Sequence, residues 1–307
     1  MKNLSDYTQA VLWMLYLSLC SSIIAGLSRV LTKEIHPMQL VCMSMFVGSI
    51  FLLLKLRSMG FHHIKTNKLR LYIIRAILEF SAFSMVYYAV STLPLPIFQA
   101  LTYTNPPLAT LVAIIVLKEK ATKNTWFSLL IGFIGMLIIV RPGIEPYVKG
   151  PVLMITAMAI FAVAGTIIKF LTRTEQPIVI AFYMMPLTFL VSLPFAVYNW
   201  QEFSPSLLYL VFFHGFFAFT QQIAVTKALS KADIVAIIPV TFSSLIFTSI
   251  IAYLFFDEII DVYTIVGAII ILYGTIHMSI RTNKLNKEQS CLKDQIRDND
   301  KNENKNN

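Results

Sequence analysis

The chain has 307 residues, of which 57% are hydrophobic and only 13% charged, with a mean hydropathy of +0.70. A soluble domain carries about 25% charged residues, and 16 acids with 25 bases, many of them in one tail, cannot clothe a fold of this size in water. With 11 glycines, 13 prolines and 3 cysteines, the collagen-like, disordered and disulfide-framework classes fall away too, which leaves a polytopic membrane protein.

The net charge of +9 is assigned to loops that meet anionic lipid, not to a nucleic-acid partner. Cys20, Cys42 and Cys291 have neither metal-ligand nor framework spacing, and the first two sit in apolar runs. No small-residue cleavage pattern ends the first apolar run, so a retained helix is predicted there in place of a signal peptide.

A helix crosses a bilayer with about 20 apolar residues. After a short N-terminal segment, 1–9, ten such runs follow one another. They lie at 10–31, 37–54, 71–90, 97–117, 124–140, 150–170, 177–198, 206–228, 234–256 and 263–281. The connections are short except for Lys55–Arg70. From 282 to 307 the chain is Asn, Lys, Asp and Glu with almost nothing apolar, the composition of a solvated, disordered tail.

With the N-terminus in the cytoplasm, twenty Lys and Arg fall on the inner side. Only Arg29, Lys33, Arg141 and Lys149 fall on the outer side, and Arg75 lies within a helix. That bias predicts cytoplasmic termini at both ends.

The chain also repeats itself. At one constant offset Ala89 matches Ala228, Ser91 Ser230, Thr102 Thr241, Glu119 Glu258, Thr125 Thr264 and Gly135 Gly274. With the offset one residue longer, Arg29 matches Lys169, Lys33 Arg173 and Pro37 Pro177. This predicts two five-helix units, 10–141 and 150–281. An odd helix count makes the second unit enter the membrane upside down, as in many secondary transporters. The expected fold is all-α, with ten transmembrane helices in two inverted five-helix repeats.

Within each unit, an apolar helix ends in an acid and is followed by a further helix. The first copy reads Leu111-Val-Ala-Ile-Ile-Val-Leu-Lys-Glu119, then Trp126 through Gly132 and Gly135 to Arg141-Pro142-Gly143; the second reads Ile250-Ile-Ala-Tyr-Leu-Phe-Phe-Asp-Glu258, then Val266-Gly267 to Gly274. In these features, over residues 10–281, the chain resembles the drug/metabolite transporter superfamily and its EamA-type carriers. Arg75 at the start of the third helix, the Ala89-Val-Ser-Thr-Leu-Pro corner and the Ala252-to-Glu258 helix end are similar to rickettsial-type S-adenosylmethionine carriers. The resemblance implies a bacterial inner-membrane carrier, with uptake of S-adenosylmethionine or a related amino-acid derivative as the expected activity. An exporter of amino acids or toxic compounds on the same fold is the alternative.

Polar groups in hydrocarbon are costly unless paired, so they mark pathways or sites. Arg75 and Glu79 stand i,i+4 on one face of the third helix. Glu79 attracts a cation or carries a proton in one reading; in the other the two neutralise each other while Arg75 snorkels to lipid phosphate. The fourth run carries Gln99, Tyr103 and Asn105, then Pro106 and Pro107, which free backbone carbonyls and kink a helix near mid-membrane. Pro239 begins the corresponding stretch in the second half. The eighth run adds His214, Gln221 and Gln222. Glu119 and Glu258, at helix ends on opposite sides of the membrane, are read as caps or gate-closing groups. Trp13, Tyr16, Tyr87, Tyr88 and Tyr183 offer stacking surfaces for a planar or cationic substrate.

Enzyme chemistry has no motif here. The five histidines are scattered without H-E-x-x-H, and the G-x-x-x-x-G-K-[ST] loop of an ATP-driven pump is absent. A membrane enzyme would need a clustered polar constellation, and a channel would need a continuous polar ring. A small-molecule substrate and the lipid bilayer are the expected partners; no metal or cofactor is expected.

Overall fold

The apolar runs fold as helices in a computed structural model that describes residues 6–59, 66, 68–116, 123–140, 149–171, 175, 177–229, 240–241 and 243–274. The helices are α1 Asp6–Leu31, α2 Pro37–Met59, α3 Leu69–Thr92, α4 Leu95–Thr102, α5 Asn105–Val116, α6 Lys123–Val140, α7 Lys149–Leu171, α8 Pro177–Tyr198, α9 Leu208–Leu229, α10 Ser243–Phe256 and α11 Val262–Gly274. No strand occurs among the described residues. Pro37 and Pro177 open α2 and α8, where a missing amide hydrogen costs nothing.

Five of these helices are long and apolar enough to cross a membrane. Burial follows membrane logic. Ser18, Ser22, Gln39, Ser44, Thr188, Ser192, His214 and Thr248 are buried, while Leu54, Val197, Phe255 and Ile259 stand exposed. In lipid the outside is apolar, so interior serines and threonines pair across helices instead. The protein is an all-helical, multi-pass membrane protein.

The run at 97–117 forms two helices where one kinked helix was expected. α4 ends at Thr102, and the amides of Tyr103 and Thr104 turn back to the carbonyls of Ala100 and Leu101 at 3.2 and 3.1 Å. Pro106 and Pro107 cannot donate to the carbonyls of Thr102 and Tyr103, so an unbroken helix would leave both unsatisfied in hydrocarbon.

First-half helices pack chiefly on second-half helices. α1 lies against α9 and α10, α2 against α8 and α9, α3 against α7 and α8, and α5 against α7. α6 meets α11 at Gly135 and Gly267, whose backbones approach so closely that a Cβ on Gly135 would lie 2.8 Å from the Gly267 carbonyl oxygen. Two apolar clusters result. One joins α3, α4, α7, α10 and α11 around Leu95, Leu101, Met154 and Ile271. The other joins α2, α3, α8 and α9 around Leu40, Phe80, Met185 and Phe219.

Candidate functional site

Serine and threonine at i,i+4 spacing put two hydroxyls on one helix face, and α1 and α10 each carry such a pair: Ser18 with Ser22, and Ser244 with Thr248. The two helices run parallel, so the pairs meet rung by rung. Ser18 Oγ donates to the Val240 carbonyl at 3.4 Å, and Ser22 Oγ to the Ser244 carbonyl at 3.0 Å. Thr248 Oγ1 donates to Ser22 Oγ at 2.9 Å. From the other side, antiparallel α4 adds Gln99, whose Nε2 donates to Ser244 Oγ at 3.0 Å and to Thr102 Oγ1 at 3.1 Å. Tyr103 brings its hydroxyl to within 2.8 Å of the same Ser244 oxygen. Tyr103 follows Gln99 by four residues, and its helical φ of −73° at the C-cap of α4 keeps the two side chains on one face.

The result is a buried, uncharged ladder of donors and acceptors shared by α1, α4 and α10. Its groups satisfy one another, and a polar ligand can replace those partners like for like. No group of three or more His, Cys, Asp and Glu side chains among the described residues could hold a metal.

The other sequence-derived residues fall into separate interfaces. Gln221 on α9 donates to Ser21 Oγ of α1 at 2.6 Å. Gln222 is half-buried on α9. Asn105 donates to the Met158 carbonyl of α7 at 3.1 Å, and Pro107 packs against Gly132 of α6. His214 is fully buried with both ring nitrogens engaged, Nε2 with Ser28 Oγ at 2.9 Å and Nδ1 with Ser44 Oγ at 2.7 Å. The Tyr87 ring stands edge-on to it at 5.4 Å. His214 thus joins α9 to α1 and α2.

Arg75 and Glu79 form a buried ion pair in the α3–α8 interface. Nη1 is 3.0 Å from Oε2 and Nη2 is 3.4 Å from Oε1, and Thr188 of α8 also donates to Oε2 at 3.1 Å. Arg75 does not snorkel; it is 5% exposed. Glu258 faces Arg29 across 2.5 Å. Glu119 and Pro239 lie outside the described residues, and Pro106 sits in the first turn of α5.

Residues the sequence reading did not single out complete each group: Ser18, Ser22 and Thr248 in the ladder, Ser28 and Ser44 around His214, Thr188 beside Glu79, and Arg29 beside Glu258. The i,i+4 hydroxyl spacing on the first and ninth runs was the available signal for the ladder. For Arg29 it was the match to Lys169.

A sequence profile of the EamA-like transporter family matches the chain twice, over residues 8–141 and 148–280. The chain belongs to the EamA-like transporter family. It is therefore a membrane transporter and not an enzyme. This EamA-like protein is 27% identical over 273 residues to an S-adenosylmethionine uptake transporter of Rickettsia prowazekii, covering 89% of this chain and 93% of that protein. A riboflavin transporter of Vibrio cholerae is 26% identical over 231 residues, covering 73% and 77%. A pseudopaline exporter of Pseudomonas aeruginosa is 23% identical over 268 residues, covering 86% and 93%. A protein crystal structure superposes with a TM-score of 0.65 at 15% identity, over 90% of this chain and 97% of that one, a likeness of fold.

Proposed function

We propose that this EamA-like protein is a secondary carrier that takes up S-adenosylmethionine, or a closely related amino-acid derivative, across the bacterial inner membrane by alternating access. The observation that carries the substrate is the 27% identity to the Rickettsia prowazekii uptake transporter along 89% of the chain.

The carrier architecture in this reading is ten spans in two inverted five-helix repeats, 10–141 and 150–281, with 1–9 and 282–307 in the cytoplasm. The contact pattern supports it. If each span is exchanged with its counterpart in the other half, α1 on α9 becomes α7 on α3, and α1 on α10 becomes α7 on the α4–α5 span. All of these pairs are in contact. α2 on α8 maps onto itself, and so does α6 on α11. A two-fold exchange of this kind lets one sequence plan build both an inward-open and an outward-open shape.

Gln99 and Tyr103 are the groups we assign to the substrate's polar end, because they sit on the broken span and share the ladder with the opposite half. Asn105, His214, Gln221 and Gln222 line helix contacts around them. Trp13 and Tyr16 border a cavity of about 450 Å³ together with Leu12, Thr220 and Ile223, where a purine can stack and a sulfonium can lie over a ring.

The test is counterflow. Vesicles carrying the purified protein are loaded in turn with unlabelled S-adenosylmethionine, riboflavin or an amino acid and offered the same compound labelled. Saturable counterflow of S-adenosylmethionine is expected. Saturable counterflow of another compound alone overturns the S-adenosylmethionine assignment, and flux that never saturates indicates a channel.

A further inference from the structure

At one end of the bundle, segments from both halves meet on a single ion pair. Arg29 lies in the last turn of α1, and its Nη2 is 2.5 Å from Oε1 of Glu258, two residues beyond α10. Arg29 Nη1 donates to the Val90 carbonyl at 3.1 Å and to the Leu93 carbonyl, both at the corner between α3 and α4. The other Glu258 oxygen accepts the Leu95 amide at 2.6 Å, at the start of α4. Asp257 makes this aim possible: its φ of 55° lies in the left-handed region that side chains seldom adopt, and the Glu258 amide then bonds back to the Ala252 carbonyl at 3.1 Å. The helix is turned off sharply, and Glu258 points back at α1 and α4.

We infer that the Arg29–Glu258 pair is the latch that closes the substrate path at this end of the carrier, the outer end in the topology proposed above; it rests on that carrier reading. Position is the first ground. The pair caps the same parallel helices, α1 and α10, that hold the polar ladder, and it ties them to α4, the third helix of the ladder. Parting Arg29 from Glu258 releases the end of α10 from the end of α1 and from the α3–α4 corner, and leaves the neutral ladder as the polar tie between these helices.

Reversibility is the second ground. Its side chains keep 20% and 16% exposure, against 6% and 9% for Arg75–Glu79. Water can take over both charges when the latch opens, whereas a fully buried pair loses its compensation on parting. The third ground is the repeat. Arg29 aligns with Lys169 and Glu258 with Glu119, so both halves keep a base and an acid at corresponding helix ends. Glu119 lies outside the described residues, and Arg29–Glu258 is the pair we assign.

The experiment uses a reporter thiol in the ladder, Thr102→Cys, in a chain whose Cys20, Cys42 and Cys291 are replaced by serine. A membrane-impermeant maleimide is applied to either face of sealed vesicles. With the latch intact, labelling from the outer face is expected to be slow. Glu258→Gln should raise the outer-face rate on the order of tenfold while leaving the inner-face rate unchanged or lower. Arg29→Gln should do the same, and thermal unfolding in detergent shows which variants are folded; Glu258→Gln carries the test if Arg29→Gln is not. An unchanged outer-face rate in folded Glu258→Gln, or an equal rise from both faces, overturns the latch. Labelling needs no substrate. Absence of S-adenosylmethionine counterflow would therefore sink the substrate reading and leave this measurement to decide the latch separately.

Discussion

Arg75 and Glu79 are held one helical turn apart on α3, and both oxygens of Glu79 are engaged, by Arg75 and by Thr188. The sequence left two roles open for Glu79, a cation or proton site and a partner that neutralises Arg75. The buried charge pair favours the brace, since a ligand that drew Glu79 away would leave Arg75 charged and uncompensated, whereas the neutral groups of the ladder can exchange partners. Glu79→Gln would leave the Arg75 charge buried without compensation, which is expected to lower stability by about 3 kcal/mol. Replacing both, as Arg75→Gln with Glu79→Gln, should recover most of that loss, because two neutral amides can satisfy each other. Thermal unfolding of the single and double variants in detergent gives the coupling directly. We expect the double variant to retain uptake; a stable but inactive double variant would return the pair to the substrate path.

Among the elements, two features decide the packing of the spans. The break between α4 and α5 follows from Pro106 and Pro107, and a disruption there was legible from those two residues alone. The crossing of α6 and α11 was not legible, although Gly135 and Gly267 both stand out in sequence. A glycine marks a close approach only when its partner is known, and here the partner is another glycine on a distant helix. A Cβ on Gly267 would lie 2.5 Å from Ile139 Cγ1 and 2.7 Å from the Gly135 carbonyl oxygen. The backbone oxygen cannot step aside as a flexible side chain does. Gly267→Ala is therefore expected to cost roughly 1–3 kcal/mol through overpacking, read as a lower unfolding temperature in detergent. An unchanged midpoint would mean that the two helices can separate without penalty.

For the whole molecule, the proposed inverted repeat makes a prediction that needs no substrate. Single cysteines at Glu119 and at Ile259, in a background lacking the three native cysteines, should label from opposite faces of the membrane with an impermeant thiol reagent. Labelling from the same face would refute the five-plus-five topology. The membrane class and the position of the apolar runs could be read from the chain itself, and so could the pattern on which the repeat is proposed. Each is set by local quantities, namely the length of apolar sequence that a bilayer demands and the order in which residue types recur. The partners of the polar residues could not. Gln99 meets Ser244 across 145 positions and Arg29 meets Glu258 across 229. In a soluble helix a polar face fixes the rotation about the axis; here nearly every face is apolar, and a pair of hydroxyls at i,i+4 marks a face without saying which helix it meets. Only the way the helices cross and turn against one another decided which serine, glutamine or arginine found which partner, because in hydrocarbon each must find one and spacing along the chain does not say where.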